Sequence, residues 1–134
     1  MIRPLIILFY LFVTVIMGAV GDGMNNSGIQ TWGHLFEAIE VAMLFSAMFL
    51  LNMDKDTPVK EFVLTLATYV CLRFAFFDYA YNIAAQNPLT YLSENNFWGR
   101  FWLNVLKAEP QGIAWARLVF LIVGISLPLK FLRS

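Results

Sequence analysis

The sequence contains one cysteine, one histidine and few charged side chains. Charged residues make up 13% of the 134 residues and hydrophobic residues 60%, whereas a soluble domain averages about 25% and about 45–50%. The lone Cys71 excludes an intrachain disulfide and a cysteine-rich zinc site. Nine basic residues balance nine acidic ones, so no net charge attracts nucleic acid. A chain this apolar cannot cover a soluble surface, which indicates an integral membrane protein.

Motifs that identify a reaction are also missing. The chain has no glycine-rich phosphate loop, no haem-attachment motif and no Cys-x-x-Cys pair. Thr31 lies three residues before His34, but a hydroxyl near a histidine is too common to indicate a nucleophile. Whether the protein is an enzyme therefore stays open at this point.

Four long apolar segments predict helices that cross a membrane, since about 20 apolar residues span a hydrocarbon core of about 30 Å. They cover residues 4–21, 28–52, 60–85 and 113–132. The predicted fold class is an all-α integral membrane protein, a single four-helix domain over residues 1–134. The first segment has a competing interpretation as a cleaved signal peptide over residues 1–21, because Ala19-Val20-Gly21 resembles a cleavage site.

The connections between these segments carry turn and capping signals. Residues 22–26 have the composition of a turn. Ser27 and Gln30 fit a capping box, so we expect Ser27 to cap the second helix. Pro58 suits the first turn of the third helix. Residues 94–107 predict a short amphipathic helix at the membrane interface, with its aromatic stripe turned toward lipid or toward the other helices.

The distribution of lysine and arginine predicts the orientation. Four spans place both termini on one side, where five cations flank the helices: Arg3, Lys55, Lys60, Lys130 and Arg133. The opposite side has two loop cations, Arg100 and Lys107. The positive-inside rule then places both termini in the cytoplasm, in a bacterial-type inner membrane or a plasma membrane.

Polar side chains concentrate at the outer end of the predicted spans. The second span opens with His34, Glu37 and Glu40, which share one helix face at 100° per residue. The other spans add further polar groups at or toward that end: Asp22, Arg73, Asp78, Tyr81, Asn82 and Arg117. Ionisable residues inside a membrane are costly and usually face the protein interior or a wet cavity, so we expect these groups to form a cluster.

Three interpretations of the cluster compete. In the first, Arg73 and Arg117 pair with carboxylates and, with Asn82 and Tyr81, form a structural polar network. The second is a divalent cation site, in which oxygen-rich ligands suit calcium or manganese. Its expected ligands are His34, Glu37, Glu40, Asp22 and Asp78. The third is a path for a proton or a small solute, with His34 and Glu40 as carriers.

These interpretations lead to two expected functions. The first is a structural or interaction subunit that lies in the lipid bilayer and docks a protein partner or a second copy of itself. The alternative is a protein that binds a cation or a lipid headgroup, including a metal-assisted membrane hydrolase, or one that conducts protons or a solute. No nucleic-acid partner is expected from the neutral charge balance.

Overall fold

The computed structural model describes residues 2–50, 58–92, 97–105 and 110–131. Its α-helices are α1 (Ile2–Asn26), α2 (Gln30–Leu50), α3 (Pro58–Ala84), α4 (Phe97–Arg100) and α5 (Pro110–Phe131). A π-helical turn, Phe101–Val105, continues directly from α4. The described residues contain no strand, which confirms the all-α class.

Three helices are long and apolar enough to cross a membrane. They are Ile2–Asn26, Pro58–Ala84 and Gln111–Lys130. Four spans were expected, and within the described residues three meet this criterion. Helix α2, which covers most of the expected second span, has 21 residues, a length of about 31 Å at the usual rise per residue.

The end of α1 differs from the expected boundary. The predicted turn over residues 22–26 is helical, and α1 ends instead in a Schellman motif. The Ile29 amide donates to the Met24 carbonyl (2.9 Å) and the Gly28 amide to the Asn25 carbonyl (3.2 Å). Gly28 has a φ of 85°, which glycine adopts without steric cost. The local turn residues thus stop the helix one turn later than their composition suggested.

Ser27 belongs to this helix end and does not cap α2. Its hydroxyl donates to the Gly23 carbonyl (2.8 Å), one turn back along the chain, and lies 3.2 Å from the Ala84 carbonyl at the end of α3. The capping-box prediction is therefore wrong, because α1 extends through the residues that would have formed the turn before it. Pro58, in contrast, opens α3 as expected.

The long helices pack in the lateral order α2, α1, α3, α5. Helix α1 makes extensive contacts with α2 and α3, and α3 also contacts α5. No comparable contact joins α2 to α5 within the residues described. Arg3 at the start of α1 pairs with Glu61 at the start of α3, so these two central helices run parallel and the two outer helices run antiparallel to them.

The central pair of helices holds the apolar core. On α1, Ile7, Leu11, Val15 and Ala19 are fully buried and recur every four residues, which places them on one stripe of the helix. Helix α5 is different, since one of its faces stays exposed along the whole helix. That face carries Trp115, Leu118, Val119, Ile122, Val123 and Leu129.

The rings of Phe101 and Trp102, in the segment before α5, contact Phe74 of α3. The expected amphipathic helix over residues 94–107 is described only over 97–105, where α4 passes into the π-helical turn. Trp102 is 1% exposed and lies edge-on to Phe74 of α3 at 5.7 Å between ring centroids. Phe74 in turn stacks on Phe120 of α5 at 4.6 Å. Of the two orientations expected for this stripe, Trp102 takes the one toward the protein.

Candidate functional site

Helix α3 forms an ion pair with each of the other three long helices. Its side chains are Glu61, Arg73 and Asp78, and the pairs are Arg3–Glu61 (2.9 Å), Arg73–Glu40 (2.6 Å) and Arg117–Asp78 (2.7 Å). The partners lie on α1, α2 and α5 respectively. Each helix therefore has its own ionic contact with α3, and these contacts form separate groups.

The central group joins Glu40, Tyr69 and Arg73. The Tyr69 hydroxyl donates to Glu40 Oε1 (2.5 Å), and Arg73 Nη1 donates to the same oxygen (2.6 Å) and to the Tyr69 oxygen (2.9 Å). Tyr69 and Arg73 are four residues apart, so they lie one above the other on α3. The carboxylate is thus held by two donors on one helix face, both of them partly buried.

Glu40 reaches α3 across the surface of α1, at Gly18. A Cβ atom built on Gly18 would overlap the Glu40 carboxyl group. The missing side chain therefore leaves the space that the carboxylate occupies. This is why α2, whose main contact is with α1, can still form an ion pair with α3.

A second group surrounds Glu37 where α1 meets α2. Asn25 Nδ2 donates to Glu37 Oε1 (2.5 Å), and His34 Nδ1 lies 3.1 Å from Glu37 Oε2. The Asp22 carboxyl lies close to the carboxyl group of Glu37. With the His34 side chain 70% exposed, this group opens to the outside of the molecule.

The third group joins Asp78 to Arg117 beneath Trp102. Arg117 Nη2 donates to Asp78 Oδ2 (2.7 Å), and the guanidinium carbon of Arg117 lies 5.3 Å from the Trp102 ring centroid. The guanidinium carbon of Arg117 lies 4.3 Å from the Tyr79 ring centroid. Arg117 is 6% exposed, and its Nε and Nη1 atoms have no hydrogen-bond partner in the described structure. The rings of Tyr79 and Trp102 therefore take the place of some of the hydrogen-bond acceptors that the buried guanidinium of Arg117 would otherwise need.

Beside this third group lies a small pocket with a cavity volume of about 10 Å³, which is room for about one water molecule. It is lined by Arg73, Phe74, Phe77, Asp78 and Trp102. Four of these residues come from successive turns of α3, and Trp102 closes the pocket from the π-helical turn. The pocket combines aromatic walls with one cation and one anion.

Asn82, expected in the polar cluster, holds the connection that follows α3. It is fully buried, and its Nδ2 donates to the carbonyls of Leu89 (2.9 Å) and Tyr91 (2.8 Å). The backbone carbonyl of Asn82 accepts a hydrogen bond from the backbone amide of Asn87 (2.9 Å). The side chain thus fixes the path of the chain after the helix ends.

The side chains expected to share a cation are divided among these groups. His34 pairs with Glu37 where α1 meets α2, and Asp22 lies near Glu37. Glu40 pairs with Arg73, and Asp78 pairs with Arg117. In the part of the chain that the structure describes, no three His, Cys, Asp or Glu side chains are grouped so that they could hold a metal ion. The separation follows from helix geometry, because five residues correspond to a rotation of about 140°, which puts Arg73 and Asp78 on different faces.

Several side chains in these groups were not identified from the sequence. They are Asn25, Tyr69 and Trp102. Tyr69 had a usable signal, since it precedes Arg73 by one helical turn. The tyrosine singled out in the sequence, Tyr81, stacks on Phe77 with ring centroids 6.3 Å apart. Asn25 lacked such a signal, because it lies in the segment expected to be a turn.

Comparison with known proteins does not indicate a function for these polar groups. No family model matches the chain, no curated protein matches it, and no solved structure matches it. Function is therefore inferred from the geometry of the three polar groups and the pocket.

Proposed function

We propose that the chain is an integral membrane protein with four spanning helices and a short segment, α4 with the π-helical turn, at the outer interface. Three helices meet the criterion of length and apolarity. The fourth span is α2, whose length of about 31 Å matches the hydrocarbon core. Its ionisable side chains Glu37 and Glu40 contact α1 and α3, which keeps them away from the acyl chains.

The proposed orientation places both termini in the cytoplasm, in a bacterial-type inner membrane or a plasma membrane. The basic flanks near the termini support it through the positive-inside rule. The alternation of the helices supports it too, because it brings the start of α1 and the end of α5 to one end of the molecule.

Within the membrane, the proposed role is that of a structural or interaction subunit. The observation that carries this proposal is that Glu61, Arg73 and Asp78 of α3 each pair with a different helix. Charges used in this way fix helix order and register, as buried polar contacts do in helical assemblies. The outer helices then offer apolar side chains to a protein partner or to a second copy, and on α5 the exposed ones extend from Trp115 to Leu129.

Site-specific photo-crosslinking in native membranes tests this role. A photoreactive amino acid replaces Val119 on the exposed face of α5, and a second variant carries it at Leu72, which is buried. We expect a protein adduct of one defined mass from position 119 and none from position 72. Lipid adducts alone at position 119, together with a monomeric protein in mild detergent, would contradict the proposal.

A second candidate function is a cation or proton site at Glu37. It is favoured by the contact of the Asp22 and Glu37 carboxyl groups beside the exposed His34. Elemental analysis of purified protein and of Glu37→Gln separates the two candidates. Stoichiometric metal that is lost in Glu37→Gln would support a metal site and make metal-assisted hydrolysis the next reaction to assay. Absence of metal in both samples, with folding unchanged, favours the interaction role.

A further inference from the structure

Two exposed tryptophan rings lie on the two outer helices, near the same end of the molecule. Trp32 of α2 is 58% exposed and Trp115 of α5 is 68% exposed. We propose that both rings lie in the headgroup region of the outer leaflet, and that the boundary of the hydrocarbon core crosses the molecule at their level. The proposal rests on the four-span arrangement. It adds a partner for these two rings, which is a lipid surface, and a depth for each polar group.

The chemistry of the indole ring supports this position. Its carbon skeleton is apolar, whereas its N–H group is a hydrogen-bond donor. A donor without an acceptor in hydrocarbon costs free energy, so exposed tryptophans concentrate where acyl chains meet headgroups. Further along α5, the large exposed hydrophobic side chains from Leu118 to Leu129 are all aliphatic. These side chains stay available to a protein partner, and only the outer end of the exposed face is assigned to headgroups.

The level of Trp115 follows from the contact between α5 and α3. A Cβ atom built on Gly124 would lie 2.9 Å from the Cβ atom of Cys71, so these two residues lie side by side. Trp115 precedes Gly124 by nine residues on a helix antiparallel to α3, and Ala80 follows Cys71 by nine residues. Because both helices rise by the same amount per residue, Trp115 lies level with Ala80.

The level of Trp32 follows from the contacts that α1 makes with α2 and α3. A Cβ atom built on Gly21 would lie 2.9 Å from the carbonyl oxygen of Gly33, the residue after Trp32. Two residues further along α1, a Cβ atom built on Gly23 would lie 2.7 Å from the carbonyl oxygen of Tyr81. Trp32 therefore lies within about one helical turn of the level of Tyr81, so the two tryptophans are about level with each other.

The opposite boundary falls where the helices carry cations. A hydrocarbon core of about 30 Å corresponds to about 20 residues of helix. On α3, Lys60 lies twenty residues before Ala80. Its neighbour Glu61 pairs with Arg3 of α1. Lysine and arginine place their charged ends at the headgroups, so the tryptophans at one end and the cations at the other agree on the thickness of one bilayer.

This boundary separates the polar groups by depth. Arg117 follows Trp115 by two residues, so its pair with Asp78 lies about 3 Å inside the boundary. Glu40 follows Trp32 by eight residues, which places it about 12 Å inside the boundary. The Asp78–Arg117 pair therefore lies next to the headgroups, whereas the group around Glu40 lies within the hydrocarbon core.

Quenching of tryptophan fluorescence by brominated lipids tests the proposal. The full-length protein is reconstituted in phosphatidylcholine vesicles whose acyl chains carry bromine either near the glycerol or near the terminal methyl group. The contribution of each ring is the fluorescence that is lost in Trp32→Phe or in Trp115→Phe, which are conservative changes at exposed positions. For both rings we expect stronger quenching by the shallow bromine, so the ratio of shallow to deep quenching should be above one.

Phe45→Trp is the matched control. Phe45 is 58% exposed on α2 and lies thirteen residues beyond Trp32, about 20 Å deeper, so the added ring should be quenched more by the deep bromine. A ratio of one or below for either native tryptophan, or no quenching of that ring by either lipid, would overturn the proposal. Flotation with the vesicles is measured in the same samples. Protein that floats but gives such a ratio refutes only the proposed depth, whereas protein that does not float refutes the spanning arrangement as well.

Discussion

Substitution of Gly18 by alanine should separate α2 from its contact with α3. The new methyl group would occupy the position of the Glu40 carboxyl group. Because that group is the end of a flexible side chain, it can move away with little steric cost. Its bonds to Tyr69 and Arg73 cannot follow, since both donors are fixed on α3. The expected cost is therefore the loss of these two bonds.

The magnitude follows from the nature of the bonds. A hydrogen bond to a charged group contributes about 1.5–3 kcal/mol, so two such bonds to Glu40 contribute about 3–6 kcal/mol. Replacement of glycine by alanine inside a helix returns about 1 kcal/mol of helix propensity. We expect Gly18→Ala to lower the free energy of unfolding by about 2–5 kcal/mol, where propensity alone predicts an increase.

Unfolding in mixed micelles with increasing dodecyl sulfate, followed by tryptophan fluorescence, measures this change. Gly112→Ala in α5 is the matched control, because a Cβ atom there meets no atom within 4 Å, and its stability should be unchanged or higher. A double-mutant cycle with Glu40→Ala should remove most of the cost of Gly18→Ala, since no carboxylate is left to displace. A cost that persists in the Glu40→Ala background would refute the reasoning.

Two further predictions concern the tyrosines and the connection after α3. Tyr69→Phe should lower the free energy of unfolding by about 1–3 kcal/mol because Glu40 loses one donor, whereas Tyr81→Phe should have a smaller effect; equal effects in the same micelle titration would contradict the geometry. Asn82→Ala should remove the hydrogen bonds to the Leu89 and Tyr91 carbonyls. The backbone amides of residues 87–91 should then exchange faster with deuterium, measured by mass spectrometry, while the amides of α1 stay protected. Unchanged exchange at residues 87–91 would show that the Asn82 side chain does not hold this connection in place.

Helix α3 takes part in three separate ion pairs, so the effects of changes at different pairs can be compared. It pairs with α1, α2 and α5 through three different side chains, so a change at one pair should leave the other two in place. Changes at separate groups should therefore add in the free energy of unfolding. Within the central group they should not add, because Tyr69 and Arg73 share the same oxygen of Glu40.

The sequence by itself determined the helices and their class. In a non-polar environment, the backbone N–H and C=O groups of a long apolar run must bond within the segment, so the run is helical whichever helices it packs against. The start of α3 at Pro58 and the approximate bounds of the other long helices follow from local sequence signals, namely the helix-starting proline and the lengths of the apolar runs. The exception is the end of α1, because residues 22–26, which were expected to form a turn, are helical, and the chain turns only at Gly28. The Ser27 hydroxyl bonds to the Ala84 carbonyl of α3, and α3 packs closely against Gly23. These are tertiary contacts, which the local composition does not predict.

Only the tertiary structure decided which polar groups meet. The sequence placed Arg73, Asp78 and Tyr81 on one helix toward one end, but the rotation of that helix relative to its neighbours determines which neighbour each side chain faces. Packing of α1 and α3 in the middle puts Arg73 toward α2 and Asp78 toward α5, so one expected cluster became separate groups. The gap at Gly18 then selected Tyr69 as the partner of Glu40. Such choices depend on distances between helices, which periodicity along a single helix does not specify.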